Sequence, residues 1–215
     1  RFLEVDGNKV MVYRWNACGS KKVMVLHGFE SSANNFDRYI TKLIRKGYEV
    51  IAADAPAHGA SGGKRINLPL YIKTIAAVYE AMGGIDSYMA HSFGGIAVMH
   101  FLENTPHDAR VHVALIAPAT QTVTAIDSLF SILQLGKAVR VEFDKLILEK
   151  GGVPASHYSI PRTLAHVSAT ILWVHDVDDD ITPIADLQSL IDTPPANVEF
   201  VITKGLGHRK IYRDN

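Results

Sequence analysis

The chain alternates short, continuously apolar segments with amphipathic segments of helical period along most of its length. Apolar runs such as KKVMVLHG (21–28) and YEVIAADAP (48–56) are typical of buried strands. Residues 34–46 and 67–82 instead repeat apolar side chains at helical spacing, and glycine follows each segment. The same criteria predict strands at 9–15, 87–91, 111–118, 170–176 and 197–203 and a helix at 93–103. This pattern predicts an α/β fold, with a mostly parallel central sheet and helices on both faces.

The charge balance argues against several classes of partner. Lys and Arg together number 22, as do Asp and Glu, so the formal net charge is zero. Because the sequence has no basic stripe and no acidic block, we predict neither nucleic-acid binding nor an acidic interaction tail. No apolar run has membrane-spanning length, and Cys18 is the single cysteine, so no internal disulfide is predicted. Without a recognisable signal peptide, a cytoplasmic location is the default expectation, and the start at Arg1 leaves a truncated N-terminus open.

Residues 120–161 interrupt the strand–helix alternation. They contain IDSLFSILQLGKAV and VEFDKLILEK, which have helical character, with no strand between them. The segment follows a predicted strand, and ligands of open α/β sheets bind beyond the carboxyl ends of the strands. We therefore interpret the 215 residues as one α/β domain with a short helical cap insertion at about 120–161. Two ordinary surface helices are the alternative.

The stretch YMAHSFGGIAV (88–98) places Ser92 between a predicted strand and a predicted helix. A serine at this position is either a helix N-cap residue or a nucleophile displayed on a sharp strand–turn–helix. In the second case the strand and helix approach closely, so the residues two before and two after the serine must be small. Ala90 and Gly94 occupy those positions. The turn by itself leaves both interpretations open.

A serine nucleophile needs a histidine as base and a carboxylate that orients the histidine, because its free hydroxyl reacts weakly. At such a turn the acid and then the histidine follow later strands. VDDDITP (177–183) follows one predicted strand, and KGLGHRK (204–210) follows the last. Ser92, Asp179 and His208 are therefore the candidate triad, and Asp176, Asp178 and Asp180 compete for the role of the acid.

Five stretches resemble the α/β-hydrolase fold family, and together they extend over nearly the whole chain: HGFESS (27–32), DAPAHGAS (54–61), AHSFGG (90–95), HDVDDDITP (175–183) and GLGHR (205–209). The sequence departs from the family pattern at Ala90, Ala57 and Asp176, where glycine is usual. The family normally closes with one more helix after the histidine, and we expect that helix to be missing here.

The resemblance implies roles for individual residues. Matching the acid loop to the family, with Pro183 following, favours Asp179 over Asp178 as the orienting acid. The backbone N–H groups of Phe29 and Phe93 are expected to form the oxyanion hole. No histidine pair has metal-ligand spacing with a supporting acid, so no metal and no cofactor are predicted.

Three side chains are candidates for the substrate pocket. His91 either lines the site or packs beneath the serine turn. Phe130 and Leu133 lie on the apolar part of the insertion, which we interpret as a hydrophobic roof, with core packing as the alternative.

The sequence thus predicts a serine hydrolase that cleaves a carboxylic ester, or a related small-molecule acyl substrate, through an acyl-enzyme. Acyl transfer, peroxidation and carbon–carbon hydrolysis use the same residues and are alternatives. A binding protein that keeps the triad unused is an alternative of another class. The acyl chain length, the leaving group and the oligomeric state stay open.

Overall fold

The computed structural model describes residues 1–213. One eight-stranded sheet lies at its centre, in the order β1-β2-β4-β3-β5-β6-β7-β8. The strands are β1 (Phe2–Val5), β2 (Asn8–Trp15), β3 (Lys22–Leu26), β4 (Glu49–Ala53), β5 (Ser87–His91), β6 (His112–Ile116), β7 (Thr170–Asp176) and β8 (Val198–Thr203). β2 pairs antiparallel with both of its neighbours, β1 and β4. The remaining pairs, from β4 to β8 in the sheet order, are parallel.

Helices connect the parallel strands. They are α1 (Asp37–Arg45), α2 (Leu68–Met82), α3 (Phe93–Glu103), α4 (Thr122–Ile132), α5 (Lys137–Gly151), α6 (Ile160–Thr163), α7 (Gln188–Asp192) and α8 (Gly207–Lys210), with short 3-10 helices at Ala33–Phe36, Ala155–His157 and Ile184–Leu187. This architecture confirms the predicted α/β-hydrolase fold with its mostly parallel sheet. None of the helices described in residues 1–213 combines the length and the apolar character needed to cross a membrane.

The core lies on both faces of the sheet because successive strand residues point to opposite sides. In β3, Met24 packs in one apolar cluster, together with α2 and α3. Its neighbours Val23 and Val25 pack in a second cluster, on the α1 side, around Phe36. β4 is buried along its whole length, which is why it is continuously apolar from Val50 to Ala53 rather than alternating.

Local signals in the sequence determine where α2 begins and ends. The side chain of Asn67 caps the helix by accepting a hydrogen bond from the N–H of Leu70 at 2.9 Å. Pro69 lies in the first turn, where its missing N–H costs nothing. Gly83 ends the helix in a left-handed conformation at φ +66°, which glycine adopts without strain.

β1 is the strand that the sequence did not predict. It pairs with β2 through a turn at Asp6 and Gly7, both at positive φ. An Asp-Gly pair between short extended segments is a hairpin signal. The strands β3, β4 and β6 are also shorter than predicted, because the chain leaves the sheet at their carboxyl ends to form the loops of the site described below.

Residues 120–161 leave the sheet after β6 and return before β7. Gln121 and Ser159 form an antiparallel bridge at the base of this insertion, and the N–H of Ile160 donates to the carbonyl of Thr120 at 2.9 Å. Inside the insertion, Ile126, Phe130 and Ala155 form a small apolar cluster. Helix α5 contributes no buried residue.

Candidate active site

Ser92 lies on a sharp turn between β5 and α3. Its backbone has φ +53° and ψ −119°, a conformation that costs a non-glycine residue free energy. A Cβ on Gly94 would lie 2.7 Å from the carbonyl oxygen of His27, so no larger residue fits there without movement of the backbone. Ala90 is fully buried below the turn. The helix and strand are therefore as close as the sequence interpretation required.

The structure brings Ser92, Asp179 and His208 together at the carboxyl edge of the sheet. The Oγ of Ser92 lies 3.0 Å from Nε2 of His208, and Nδ1 of His208 lies 2.8 Å from Oδ2 of Asp179. Asp179 follows β7 and His208 follows β8. All three side chains are more than 90% buried. Hydrogen bonds of this length can pass a proton from the serine to the imidazole while the carboxylate holds the ring.

Asp179 is held by a complete set of donors. Its Oδ1 accepts from the backbone N–H groups of Ile181 at 2.9 Å and Thr182 at 2.8 Å, and its Oδ2 also accepts from the hydroxyl of Thr182 at 2.8 Å. Burial raises the pKa of Asp179, but the hydrogen bonds from His208 and Thr182 outweigh burial, so the pKa lies below its usual value. The group is therefore a carboxylate at neutral pH, fixed on both oxygens. No motif in the sequence points to this role of Thr182.

Of the competing acids, Asp180 is exposed, and the other two have contacts away from His208. Asp178 is exposed, and its Oδ2 accepts from the N–H of Gly205 at 3.0 Å. Asp176 is fully buried and accepts from the hydroxyl of Thr203 at 2.7 Å and from the N–H of Leu206 at 3.1 Å. Burial raises the pKa of Asp176, but these hydrogen bonds prevail and lower it to about 2. Asp176 thus anchors the loop that carries His208, a role that its position before the acid loop did not reveal.

The loop after β3 touches the serine turn. A Cβ on Gly28 would lie 2.8 Å from the Cβ of Ser92, so this backbone passes directly beside the serine. His27 shapes the loop: its Nε2 accepts from the N–H of Ala55 at 2.9 Å, and its Nδ1 lies 2.7 Å from the carbonyl of Gly28. Burial lowers the pKa of His27 to about 4, so the ring is neutral and can accept the Ala55 bond.

Phe29 and Phe93 are the residues whose backbone N–H groups the sequence predicts as oxyanion donors. Within residues 1–213, neither donates a hydrogen bond. Phe93 is the first residue of α3, where a backbone N–H has no acceptor inside the helix. The two rings meet edge to face, with centroids 6.3 Å apart, beside the turn. The two aromatic side chains therefore form one wall of the site beside Ser92.

His91 both packs against the turn and lines the site. Its Nε2 lies 3.1 Å from the carbonyl oxygen of His208, and its ring lies 4.2 Å from that of Tyr212. Burial, followed by the proximity of His208, lowers the pKa of His91 to about 3. The ring is therefore neutral and donates to the backbone that carries the predicted base.

A cavity of about 180 Å³ opens beside Ser92. Its lining comes from the loop after β3, the serine turn, the acid loop and the segment from His208 onward: Phe29, Glu30, Ser31, His91, Ser92, Ile181, His208, Arg209, Tyr212 and Arg213. Phe130, proposed from the sequence as a pocket residue, lies instead in the interior of the insertion, and Leu133 is 56% exposed. Neither lines this cavity, because the apolar face of α4 turns inward on α5 and on the 3-10 helix before α6. A larger groove of about 780 Å³ lies on the α1 side of the sheet, away from the three residues.

One group of side chains in the described chain has the composition of a metal site. His100, Glu103 and His157 place ligand atoms within 4.8 Å of one another. The Arg162 guanidinium hydrogen-bonds to both oxygens of Glu103 and lies 3.4 Å from a nitrogen of each histidine. A cation would have to displace this positive charge. The sequence did not reveal the group because His157 approaches α3 only through the fold of the insertion.

Comparison with known proteins agrees with this architecture. The family model "Serine aminopeptidase, S33" matches residues 18–149, more than half of the chain. A non-heme haloperoxidase of Rhodococcus erythropolis is 30% identical over 100 residues, 45% of this chain and 36% of that protein. A bifunctional esterase/perhydrolase of Acinetobacter calcoaceticus is 24% identical over 126 residues, 57% of this chain and 46% of that protein. The chain thus spans less than half the length of either relative.

Among solved structures, Est1E of Butyrivibrio proteoclasticus with bound ferulic acid superposes with a TM-score of 0.73 at 18% identity. The superposition covers 97% of this chain and 91% of that one. At this identity the likeness concerns the fold.

Proposed function

Because the chain belongs to the serine aminopeptidase S33 family of α/β hydrolases, we propose that it hydrolyses carboxylic esters through an acyl-enzyme formed on Ser92. The observation that carries this proposal is the continuous hydrogen-bonded arrangement of Ser92, His208 and Asp179, at 3.0 and 2.8 Å, in a buried site. Similarity to an esterase/perhydrolase supports the choice of ester chemistry.

In the proposed acylation step, the Oγ of Ser92 attacks the ester carbonyl carbon, and its proton passes to Nε2 of His208. The carbonyl oxygen becomes an oxyanion that accepts hydrogen bonds from the N–H groups of Phe29 and Phe93. His208 then donates its proton to the departing alcohol oxygen as the carbon–oxygen bond breaks. Asp179 stabilises the transient positive charge on His208 throughout.

In the proposed deacylation step, a water molecule takes the place of the alcohol. His208 removes a proton from this water, whose oxygen attacks the acyl carbon and forms a second oxyanion in the same hole. Collapse of that intermediate releases the carboxylic acid and returns the proton to Ser92. The rate therefore falls in acid, because a protonated His208 cannot accept the serine proton.

The cavity favours esters over aminopeptidase substrates. An N-terminal ammonium group needs a carboxylate partner near the scissile bond. Of the described residues that line the cavity, Glu30 alone carries a carboxylate besides the buried triad, and Arg209, 3.8 Å from it, competes for it. Arg213 adds a second positive charge to the lining.

Perhydrolysis is a second candidate, favoured by the names of two relatives. Hydrogen peroxide would replace water in deacylation: one peroxide oxygen bonds to the acyl carbon, its proton passes through His208 to Ser92, and a peracid leaves. Release of peracid from an ester and hydrogen peroxide would distinguish this activity from simple hydrolysis.

Short-chain p-nitrophenyl esters test the proposal. Ser92→Ala is expected to fold normally and to lose turnover, because Ser92 is the attacking group. A variant that hydrolyses these esters as fast as the parent would show that Ser92 is not the nucleophile. If the folded parent itself turns over neither esters nor amino-acyl p-nitroanilides, the scaffold serves binding rather than catalysis.

A further inference from the structure

Among residues 1–213, the lining of the cavity beside Ser92 has an excess of positive charge. Its lining includes two guanidinium groups, of Arg209 and Arg213, and one carboxylate, of Glu30. Arg209 and Glu30 approach to 3.8 Å with about 70% of each side chain exposed, so their mutual attraction is weak. His91 is neutral, as its lowered pKa requires. The charge of Asp179 is buried and already bonded to His208 and Thr182.

Arg213 is held in place from one side. Its guanidinium lies over the ring of Tyr212, 5.1 Å from the centroid, and its Nε donates to the Tyr212 hydroxyl at 3.1 Å. That ring is itself fixed, since it is buried, stacks on Phe36 with centroids 5.1 Å apart, and contacts the tilted ring of His91 at 4.2 Å. The terminal nitrogens of Arg213 have no carboxylate partner within residues 1–213. A guanidinium fixed in this way presents its remaining N–H donors at low entropic cost.

The cavity also limits the size of its ligand. At about 180 Å³ it is smaller than the roughly 300–1,000 Å³ usual for small-molecule sites. Phe29, Ile181 and Tyr212 supply apolar walls, and the two arginines supply the charge. This lining suits a short or single-ring substrate with one anionic group.

We propose that the preferred substrates are small esters that carry a carboxylate, which Arg213 binds with the help of Arg209. This inference rests on the proposed ester hydrolysis and adds the substrate class. Carboxylates form paired, charge-assisted hydrogen bonds with guanidinium groups, so the anion would orient the ester carbonyl beside Ser92. Glu30 opposes the anion and reduces the preference.

Matched ester pairs test the inference. One pair is monomethyl and dimethyl glutarate, followed by proton release; the other is para-acetoxybenzoate and its methyl ester, followed by absorbance. In each pair the neutral member carries a methyl ester where the other member carries the carboxylate. The ratio of kcat/KM, anionic over neutral, is divided by the ratio for alkaline hydrolysis at high salt, where the repulsion between hydroxide and the carboxylate is screened, so that the division removes intrinsic reactivity. The expected result is a corrected ratio well above one for at least one pair, which falls as salt is added.

Variants assign the effect to residues. Arg213→Gln is expected to lower the corrected ratio about tenfold, the worth of one charged hydrogen bond. Arg213→Lys should retain part of the preference, and Glu30→Gln should raise the ratio about threefold by removing the opposing charge. Arg110→Gln is the matched control, because the Arg110 side chain is 92% exposed and precedes β6, at the amino ends of the strands, whereas the cavity lies at their carboxyl ends.

The outcomes separate this inference from the proposed function. Ester turnover with a corrected ratio near one in both pairs overturns the anionic preference and leaves ester hydrolysis standing. A preference that Arg110→Gln reduces as much as Arg213→Gln also overturns it, since the effect would then reflect net charge. Absence of turnover for all four esters counts against the proposed function instead.

Discussion

Replacing Asp179 by Asn tests the acid assignment, because the structure dictates how the new amide must lie. The Oδ1 of Asp179 accepts two backbone N–H groups, from Ile181 and Thr182. The amide oxygen of Asn must stay at that position, since an NH₂ group there would face two donors. The amide nitrogen then occupies the place of Oδ2, 2.8 Å from Nδ1 of His208.

An NH₂ group at this place forces His208 into the wrong tautomer. Nδ1 must accept a hydrogen bond, so the proton moves to Nε2, which lies 3.0 Å from the Oγ of Ser92. A protonated Nε2 cannot accept the serine proton, and the amide no longer stabilises an imidazolium. Triads with this defect lose roughly 10³- to 10⁴-fold in kcat, which corresponds to about 4–5.5 kcal/mol of transition-state stabilisation.

The assay is kcat for a short p-nitrophenyl ester, with circular dichroism as the check on folding. Asp178→Asn is the matched control: Asp178 is exposed, and Asn keeps an oxygen for the bond from Gly205. Its kcat should change by no more than about twofold, as surface substitutions usually do. A large loss in Asp178→Asn together with a mild effect in Asp179→Asn would refute the assignment.

Two further predictions concern stability. Burial lowers the pKa of His91 from 6.5 to about 3, so below pH 6.5 the unfolded chain binds a proton that the folded chain does not. Stability is therefore lost as the pH falls from about 6.5 to about 3, by on the order of 4–5 kcal/mol for this group. The free energy of unfolding, measured with urea at several pH values across that range, should fall with decreasing pH less steeply in His91→Gln, by the equivalent of one proton. An unchanged pH dependence would contradict the account. Gly94→Ala places a Cβ 2.7 Å from the carbonyl oxygen of His27, and this overpacking should lower the free energy of unfolding by about 1–3 kcal/mol. The control is Gly136→Ala, whose Cβ would meet nothing within 4 Å. Equal stabilities of the two variants would contradict the prediction.

The sequence predicted the parallel part of the fold because each strand there is buried on both faces. A strand such as β4, buried at every residue and apolar from Val50 to Ala53, is easily recognised. β1 is an edge strand with Val5 as its one buried residue, so it lacks that signal. The ends of β3 and β4 were overpredicted because His27 and Asp54 are buried like strand residues while serving loops.

The candidate site was predictable where order along the chain carries the information. Ser92, Asp179 and His208 each follow a different strand of one parallel sheet, so their loops had to meet at one edge. The pocket was not predictable in the same way. Whether Phe130 faces Ser92 or α5 depends on how the insertion folds on itself, and an apolar helix face suits either arrangement. Tyr212 and Arg213 follow His208 by a few residues but carry no motif.

The most direct test of the central claim is labelling by a fluorophosphonate, with the modified residue located by mass spectrometry. The account predicts one adduct, on the Oγ of Ser92, absent from Ser92→Ala. His208→Gln should form it at least about a hundredfold more slowly, because the base that activates the serine is lost. A folded protein that resists labelling, reacts at another residue, or labels at the same rate without His208 would contradict the proposal that these side chains act together.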